Sequence, residues 1–465
     1  MVEWLDFERF AVLGLGKSGI AAANLLARRG KTVTASDSRK RGDLEAALGE
    51  LDSRVRVICG ENSTEAAEVV VVSPGLRPTL PIIADLLHRE VPVISEVELA
   101  FSAARAPFMA ITGTDGKTTT ATLTGRIFEQ ARRAAIVAGN IGTALCGVVD
   151  EVGPDGLIIA EVSSFQLWSI HDFRPQAAAF TNVAADHLDY HGTVEEYVRC
   201  KRRLLKNMQE TDWLVFNAED PRLVEWAREF PGKSVGYGTY PFDAGPFDLA
   251  MWYEEGRFFG RDESGDVTCW LETVDDLPLK GRHNRSNMLC AAALARTRGV
   301  SWDDIVLALQ GFVPLPHRLE PCGEVEGVRF YDDSKATNSH AALAGLRSLS
   351  GPIVPIVGGV DKGLDLEELV VYLRDDARAV VLMGEIASRL HEELLEAGME
   401  QERIVEVMTM DEAVEEAFRR SDRGGTVTLS PACSSFDMFE SYAHRGRAFQ
   451  TAVRGLEGSK VTLPQ

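Results

Sequence analysis

Residues 113–120 read GTDGKTTT, directly after the apolar run FMAI at 108–111 and ahead of a stretch with good helix formers. A buried strand, a glycine turn and a helix N-terminus together form a phosphate-binding arrangement. The glycines let backbone N–H groups close on the anion, and the helix start adds partial positive charge. In this reading Lys117 reaches the β- and γ-phosphates and the Thr118 hydroxyl ligates Mg²⁺. The strict eight-residue pattern asks for glycine at position 111, where this chain has Ile111, so the loop is a shorter variant. A plain glycine turn is the competing explanation, and Gly-Lys-Thr behind a strand outweighs it.

Upstream, FAVL at 10–13 runs into GLGKSG at 14–19 and an apolar helix, and TVTAS at 32–36 ends at Asp37. VVVV at 69–72 is stopped by Ser-Pro-Gly. This is a βαβ series with a dinucleotide-type glycine turn and an acid roughly 20 residues on. Taken alone that pattern fits an NAD site. The phosphate loop in the next domain favours an ATP enzyme, leaving the first turn for a nucleotide-tagged substrate with Asp37 and Arg39 near its sugar or base.

Downstream, strands are expected at 157–160 and 178–181, followed by a β-rich insertion between 235 and 279. The segment FVPLP at 312–316 reads as a stiff hinge, because its two prolines suppress helix. Strands at 353–357, 379–383, 404–407 and 427–429 follow. TMDE at 409–412 forms a capping box, with Ala413, Val414, Ala417 and Phe418 on one helix face. The fold class is therefore α/β, with domains at 1–95, 96–314 and 315–465.

At 465 residues the chain exceeds one core. Its formal charge of −21 argues against a nucleic-acid or anionic-membrane partner. Anionic substrates must then be held by local basic residues and backbone dipoles. Seven cysteines without CxxC spacing suit reduced thiols in a cytoplasmic protein. No apolar stretch is long enough for a bilayer-spanning helix.

Polar residues stand where strands should end. Glu161 follows the strand at 157–160 and is well placed for Mg²⁺. In TNVAADHLDYH at 181–191, His187 is a candidate to touch a metal or phosphate, while a zinc site lacks its ligand pattern. The segment EEYVRCKRRLL at 195–205 reads as a helix with a solvated basic face, and nothing in it singles out Lys201.

With these residues in hand, the chain resembles the Mur ligase family over all three domains. GTDGKTTT, GNIG at 139–142, EVSSFQL at 161–167, DHLDYHG at 186–192 and His283-Asn284 with Asn287 carry the family likeness. HRLE at 317–320, DDSKATN at 332–338 and SPACSSFD at 430–437 point to the D-glutamate-adding branch. The resemblance implies a Rossmann-like N-terminal domain, a central P-loop-type mononucleotide-binding domain and a C-terminal Rossmann-like domain. It implies that Gly113, Thr114, Asp115, Gly116, Lys117, Thr118, Thr119 and Thr120 hold ATP, together with Asn284, Asn287, Arg318 and Asp333. Thr118, Glu161, His187 and Lys201 would serve two Mg²⁺ positions, with Lys201 carbamylated by CO₂. Lys17, Ser18, Asp37, Ser38, Arg39 and Gly75 fall on the uridine-diphosphate pocket, and Asn140 and Ser163 face the muramoyl-alanine arm. His187, Lys335, Thr337, Lys362, Ser435, Phe436 and Tyr442 would hold D-glutamate or orient the reaction centre. Two departures stand out: Asp115 where the family usually has Asn, and Tyr442 where Phe is commoner.

The implied reaction is amide formation by a monomeric enzyme on UDP-MurNAc-L-Ala and D-glutamate, through an acyl phosphate. Two alternatives explain fewer residues. An NAD-dependent oxidoreductase leaves Lys117, Thr118 and DDSKATN without a role, and a non-catalytic nucleotide-binding module needs no Glu161–His187–Lys201 set. Because the implied ligands come from three domains, closure about 314–316 is expected to assemble the site. Small-angle scattering should then show compaction on adding an ATP analogue with UDP-MurNAc-L-Ala; an unchanged radius of gyration counters the expectation.

Overall fold

In the computed structural model, which describes residues 2–243, 245–361, 363 and 365–456, the strands form three sheets. Two compact units emerge, Met1–Leu277 with Asn284–Phe312, and Pro278–His283 with Val313–Gln465.

The first unit holds two sheets. One contains β1 (Arg9–Leu13), β2 (Thr32–Asp37), β3 (Arg56–Cys59), β4 (Val69–Val72) and β5 (Val93–Ser95), all parallel in the order β3-β2-β1-β4-β5. All four valines of β4 are buried, as a parallel strand covered on both faces requires. The other contains β6 (Phe108–Thr112), β7 (Ala135–Gly139), β8 (Leu157–Glu161), β9 (Ala177–Phe180), β10 (Trp213–Asn217), β11 (Lys233–Gly238), β12 (Leu249–Glu254), β13 (Arg257–Arg261) and β14 (Val267–Leu271). Their order is β14-β13-β12-β11-β10-β9-β6-β8-β7. The sheet is parallel from β12 to β7, so β6, β8 and β9 end on one edge beside the glycine loop. The expected β-rich insertion is present and adds the antiparallel strands β13 and β14. Glu255 and Gly256, both at positive φ, form the two-residue turn between β12 and β13.

Glu98, on the helix Glu96–Ala103, ties this unit together. Its buried carboxylate accepts from Trp4 Nε1 and from the backbone N–H groups of His171, Asp172 and Phe173, at 2.8–3.0 Å. Glu96 on the same helix is also buried, and its Oε1 accepts from Cys146 N–H at 2.6 Å.

The second unit carries β15 (Glu320–Val325), β16 (Val328–Asp332), β17 (Ile353–Gly358), β18 (Val380–Met383), β19 (Ile404–Val407) and β20 (Thr426–Ala432). Their order is β15-β16-β20-β17-β18-β19, parallel except for the β15–β16 hairpin. That hairpin also turns on a Glu-Gly pair at positive φ, Glu326 and Gly327. The expected capping box is present on the helix Met410–Arg420, which buries Ala413, Val414 and Ala417.

Burial pushes the Glu96 carboxyl up to about 7. A raised folded-state value means stability that is complete below the unfolded value and is lost as pH climbs through the folded one. E96Q cannot ionise, so its stability relative to the parent should rise by about 3 kcal/mol between pH 4.5 and 7, then level off. Urea unfolding of both proteins at pH 4.5, 6 and 8 checks this.

Candidate active site

The loop after β6 is held by close backbone approach. Gly113, at φ +153°, passes so near Thr181 that an added Cβ would lie 1.8 Å from its Oγ1. Gly116, at φ +78°, opens the helix Lys117–Gln130, and a Cβ there would meet Asn287 Oδ1 at 2.2 Å. Only glycine fits either position. Asn182, just past β9, latches the loop: its Oδ1 accepts from the N–H groups of Thr114 and Asp115 at 3.1 and 2.9 Å. The sequence reading had backbone N–H groups of the loop closing on the anion, with the helix start adding positive charge. With two taken by Asn182, those of Gly116, Lys117, Thr118 and Thr119 have no acceptor among the described residues and point the anion to the helix start. Lys117 Nζ folds back onto the carbonyls of Gly113 and Thr114, at 2.9 and 2.7 Å.

Asn284 and Asn287 lie on the helix Arg282–Arg296, and Asn287 reaches this loop. Asn287 Oδ1 lies 3.4 Å from the buried Thr120 Oγ1, and its Nδ2 lies 3.3 Å from Asn284 Oδ1. Thr119 is buried as well.

Glu161 is the last residue of β8 rather than the first beyond it, because pairing with Ile111 and Gly139 continues through it. Its side chain is 1% exposed. Oε1 accepts from Asn140 Nδ2 at 3.0 Å, whereas Oε2 is buried without a hydrogen-bond partner. A buried carboxylate oxygen left bare is costly, and a cation is the natural partner for it. Ser163, two residues on, donates through its hydroxyl to Gln166 Oε1.

Lys201 corrects the solvated-face reading of its helix. The helix runs Val194–Arg202 and Lys201 is 1% exposed. Nζ donates to Gly113 O at 2.6 Å and sits 4.6 Å from the centre of the Tyr197 ring. Burial, with the charge of Lys117 second, holds its ammonium well below the usual lysine range. Tyr197 in turn shares a 2.9 Å hydrogen bond with Thr114 Oγ1. His187, at φ +53°, packs edge-on against Phe165 at 4.7 Å, with Nε2 3.5 Å from Asp186 Oδ2. Sequence reasoning missed Asn182 and Tyr197. A polar residue directly after the β9 strand was the available signal for Asn182, while an aromatic in a charged helix gave none for Tyr197.

In the first sheet, Lys17 and Ser18 start the helix Lys17–Arg28 behind the glycine turn. Asp37 takes N–H groups from Leu15 and Arg39 and both Nε and Nη2 of the Arg39 guanidinium, at 2.8–3.0 Å. The Arg39 side chain, foremost, lowers the carboxyl to about 2. Ser38 and Gly75 are exposed beside it in sequence and on the neighbouring loop. Tyr190 joins that loop to the His187 segment by donating to Leu76 O at 2.9 Å.

Within the second unit, Lys335 Nζ lies 4.1 Å from the centre of the Tyr442 ring, and Ser334 Oγ donates to Tyr442 O at 2.8 Å. Asp333 is buried and accepts from Leu319 N–H, next to Arg318. Ser435 is buried, Phe436 is 74% exposed, and Thr337 is half-buried. Lys362 lies outside the described residues.

Known proteins give the same outline. Residues 8–95 match the Mur ligase MurD-like N-terminal domain, 111–295 the Mur ligase middle domain, and 317–433 the Mur ligase glutamate ligase domain. The chain is 37% identical over 457 residues to the UDP-N-acetylmuramoylalanine--D-glutamate ligase of Caldanaerobacter subterraneus, covering 97% of this chain and 99% of that one. It is 36% identical over 451 residues to the enzyme of the same name from Bacillus cereus, covering 96% and 97%. Among solved structures, UDP-N-acetylmuramate-alanine ligase MurC from Thermotoga maritima shares the fold at TM-score 0.60 and 18% identity, covering 97% of this chain and all of that one. A pseudomurein peptide ligase type C from Methanothermus fervidus does so at 0.59 and 17%, with the same coverage. No described helix is long and apolar enough to cross a membrane. The chain belongs to the Mur ligase family, whose members are ligases that use ATP and Mg²⁺.

Proposed function

We propose that this protein joins D-glutamate to UDP-N-acetylmuramoyl-L-alanine in the cytoplasm, acting as a monomer in peptidoglycan precursor synthesis. The observation that carries the reading is the bare, buried Oε2 of Glu161 at the strand edge shared with the phosphate loop. The names of the curated relatives supply the substrate pair.

In the proposed reaction the L-alanyl carboxylate attacks the γ-phosphate of ATP, and an acyl phosphate forms as ADP leaves. The amine of D-glutamate then attacks the acyl carbon and phosphate departs. Both first reactants are anions, so neutralising charge and aligning the groups are the main tasks. Lys117 exchanges the Gly113 and Thr114 carbonyls for phosphate oxygens, while the free N–H groups at 116–119 receive the remaining charge. Asn140 orients Glu161 from behind.

Thr118, Glu161, His187 and a carbamylated Lys201 would hold two Mg²⁺ ions, which supply charge neutralisation of the triphosphate when bound. Lys201 suits the modification. It is buried beside Lys117, with a carbonyl and an aromatic face against Nζ, and burial outweighs the opposing charges of Asp186 and Asp115 to favour the neutral amine needed to add CO₂. Lys335, Thr337, Ser435, Phe436 and Tyr442 make the proposed D-glutamate pocket.

Phosphate release from ATP should require UDP-MurNAc-L-Ala and, across a panel of D- and L-amino acids, D-glutamate; release with neither substrate, or with none of the panel, refutes the reading. K201A should lose at least about 100-fold in kcat and recover partly with added short carboxylic acids, which replace the carbamate oxygens. Full activity of K201A without added acid would remove the carbamate role.

A further inference from the structure

The helix Tyr442–Gly455 carries a charged side chain that no step above uses. Arg445 is 2% exposed. Its Nε donates to Ser334 Oγ at 3.0 Å, Nη2 to Ser334 O and Cys433 O at 2.9 and 3.0 Å, and Nη1 to Gly358 O at 3.3 Å. Every one of these acceptors is neutral. Burying a guanidinium without a carboxylate partner costs several kcal/mol, so the site is an expensive way merely to fill space.

Its acceptors lie at the C-terminal ends of three parallel strands, β16, β17 and β20. The chain comes in close to allow this. Gly359, at φ +142°, would place a Cβ 3.1 Å from Arg445 Nη1 and 2.2 Å from Ser434 O. Ser334 passes the connection on by donating to Tyr442 O. The loops so gathered after β16 and β20 bear Lys335 and Ser435, and Tyr442 opens the helix that carries Arg445. Nearby acids are already engaged: Asp332 with His317 Nδ1, Ser334 N–H and Gln450 Nε2, and Asp437 with Glu385 N–H. Neither acid hydrogen-bonds to the guanidinium, which is held beneath those loops by neutral acceptors.

We propose that Arg445 is the positioning residue of the amino-acid pocket, and that its resident charge makes the pocket select an amino dicarboxylate over the corresponding amide. The inference rests on the D-glutamate reading above and deepens it. A cation at fixed depth attracts D-glutamate more than D-glutamine by one unit of charge, and the three loops set where the side-chain carboxylate comes to rest.

Phosphate release by the parent with D-glutamate is measured first, because failure there refutes the functional reading rather than this one. R445K keeps a cation but cannot bond all three loops at once. Its KM for D-glutamate should rise about tenfold or more, while the KM values for ATP and UDP-MurNAc-L-Ala stay within about twofold. R445Q should narrow the preference for D-glutamate over D-glutamine by at least about tenfold. If either variant fails to fold, S334A deletes the Nε acceptor, leaves the charge, and should show the same KM split at about two- to fivefold. An unchanged KM for D-glutamate in a folded variant, or equal rises for all three substrates, overturns the proposal.

Discussion

A buried lysine or arginine side chain is tolerated only where something nearby is built to use it, and two are hidden among the described residues. Lys201 sits beside Lys117 under the phosphate loop, and Arg445 sits under three loops of the second unit. Neither has a carboxylate bonded to it. For a chain of net charge −21, a buried guanidinium such as Arg445 sets positive charge locally against an unfavourable overall field, whereas burial turns Lys201 toward the neutral amine. The desolvation cost is met by carbonyl and hydroxyl dipoles already fixed at strand ends, so little reorganisation is left for the moment of reaction.

Those strand ends explain why the dipoles converge. In both the nine-stranded sheet and the six-stranded sheet, parallel strands stop at a common edge, and glycines at 113, 116 and 359 let backbone pass within a distance no Cβ would permit. Asn182 then takes two N–H groups from the phosphate loop, which shifts the open donors toward the helix start. Glu161 is set opposite by strand register, and Asn140 fills one of its oxygens.

Much of this was legible in the chain. The glycine turns, the capping box at Thr409 and the most apolar strands of each sheet follow from short-range pattern, because each depends on neighbours within a few residues, whereas β3, β5, β7, β10, β15 and β16 were not read. The two Glu-Gly hairpin turns were not read, since Glu is an unusual residue at positive φ and the pair lacks the Asn or Asp that normally marks such a turn. The burial of Lys201 was equally hidden: its helix is rich in charge, and only the packing of Tyr197 against Thr114 shows which face turns inward. The latch from Asn182 and the hub at Arg445 join residues as far as 68 and 111 positions apart, a span over which local pattern carries no information.

The first glycine turn keeps the outline of a dinucleotide-binding fold, yet Asp37 no longer offers what such a fold needs. A carboxylate has about four lone-pair sites. Leu15 takes one and Arg39 takes three. A ribose diol arriving at this turn would find no vacant acceptor on that acid, and it would face a guanidinium instead.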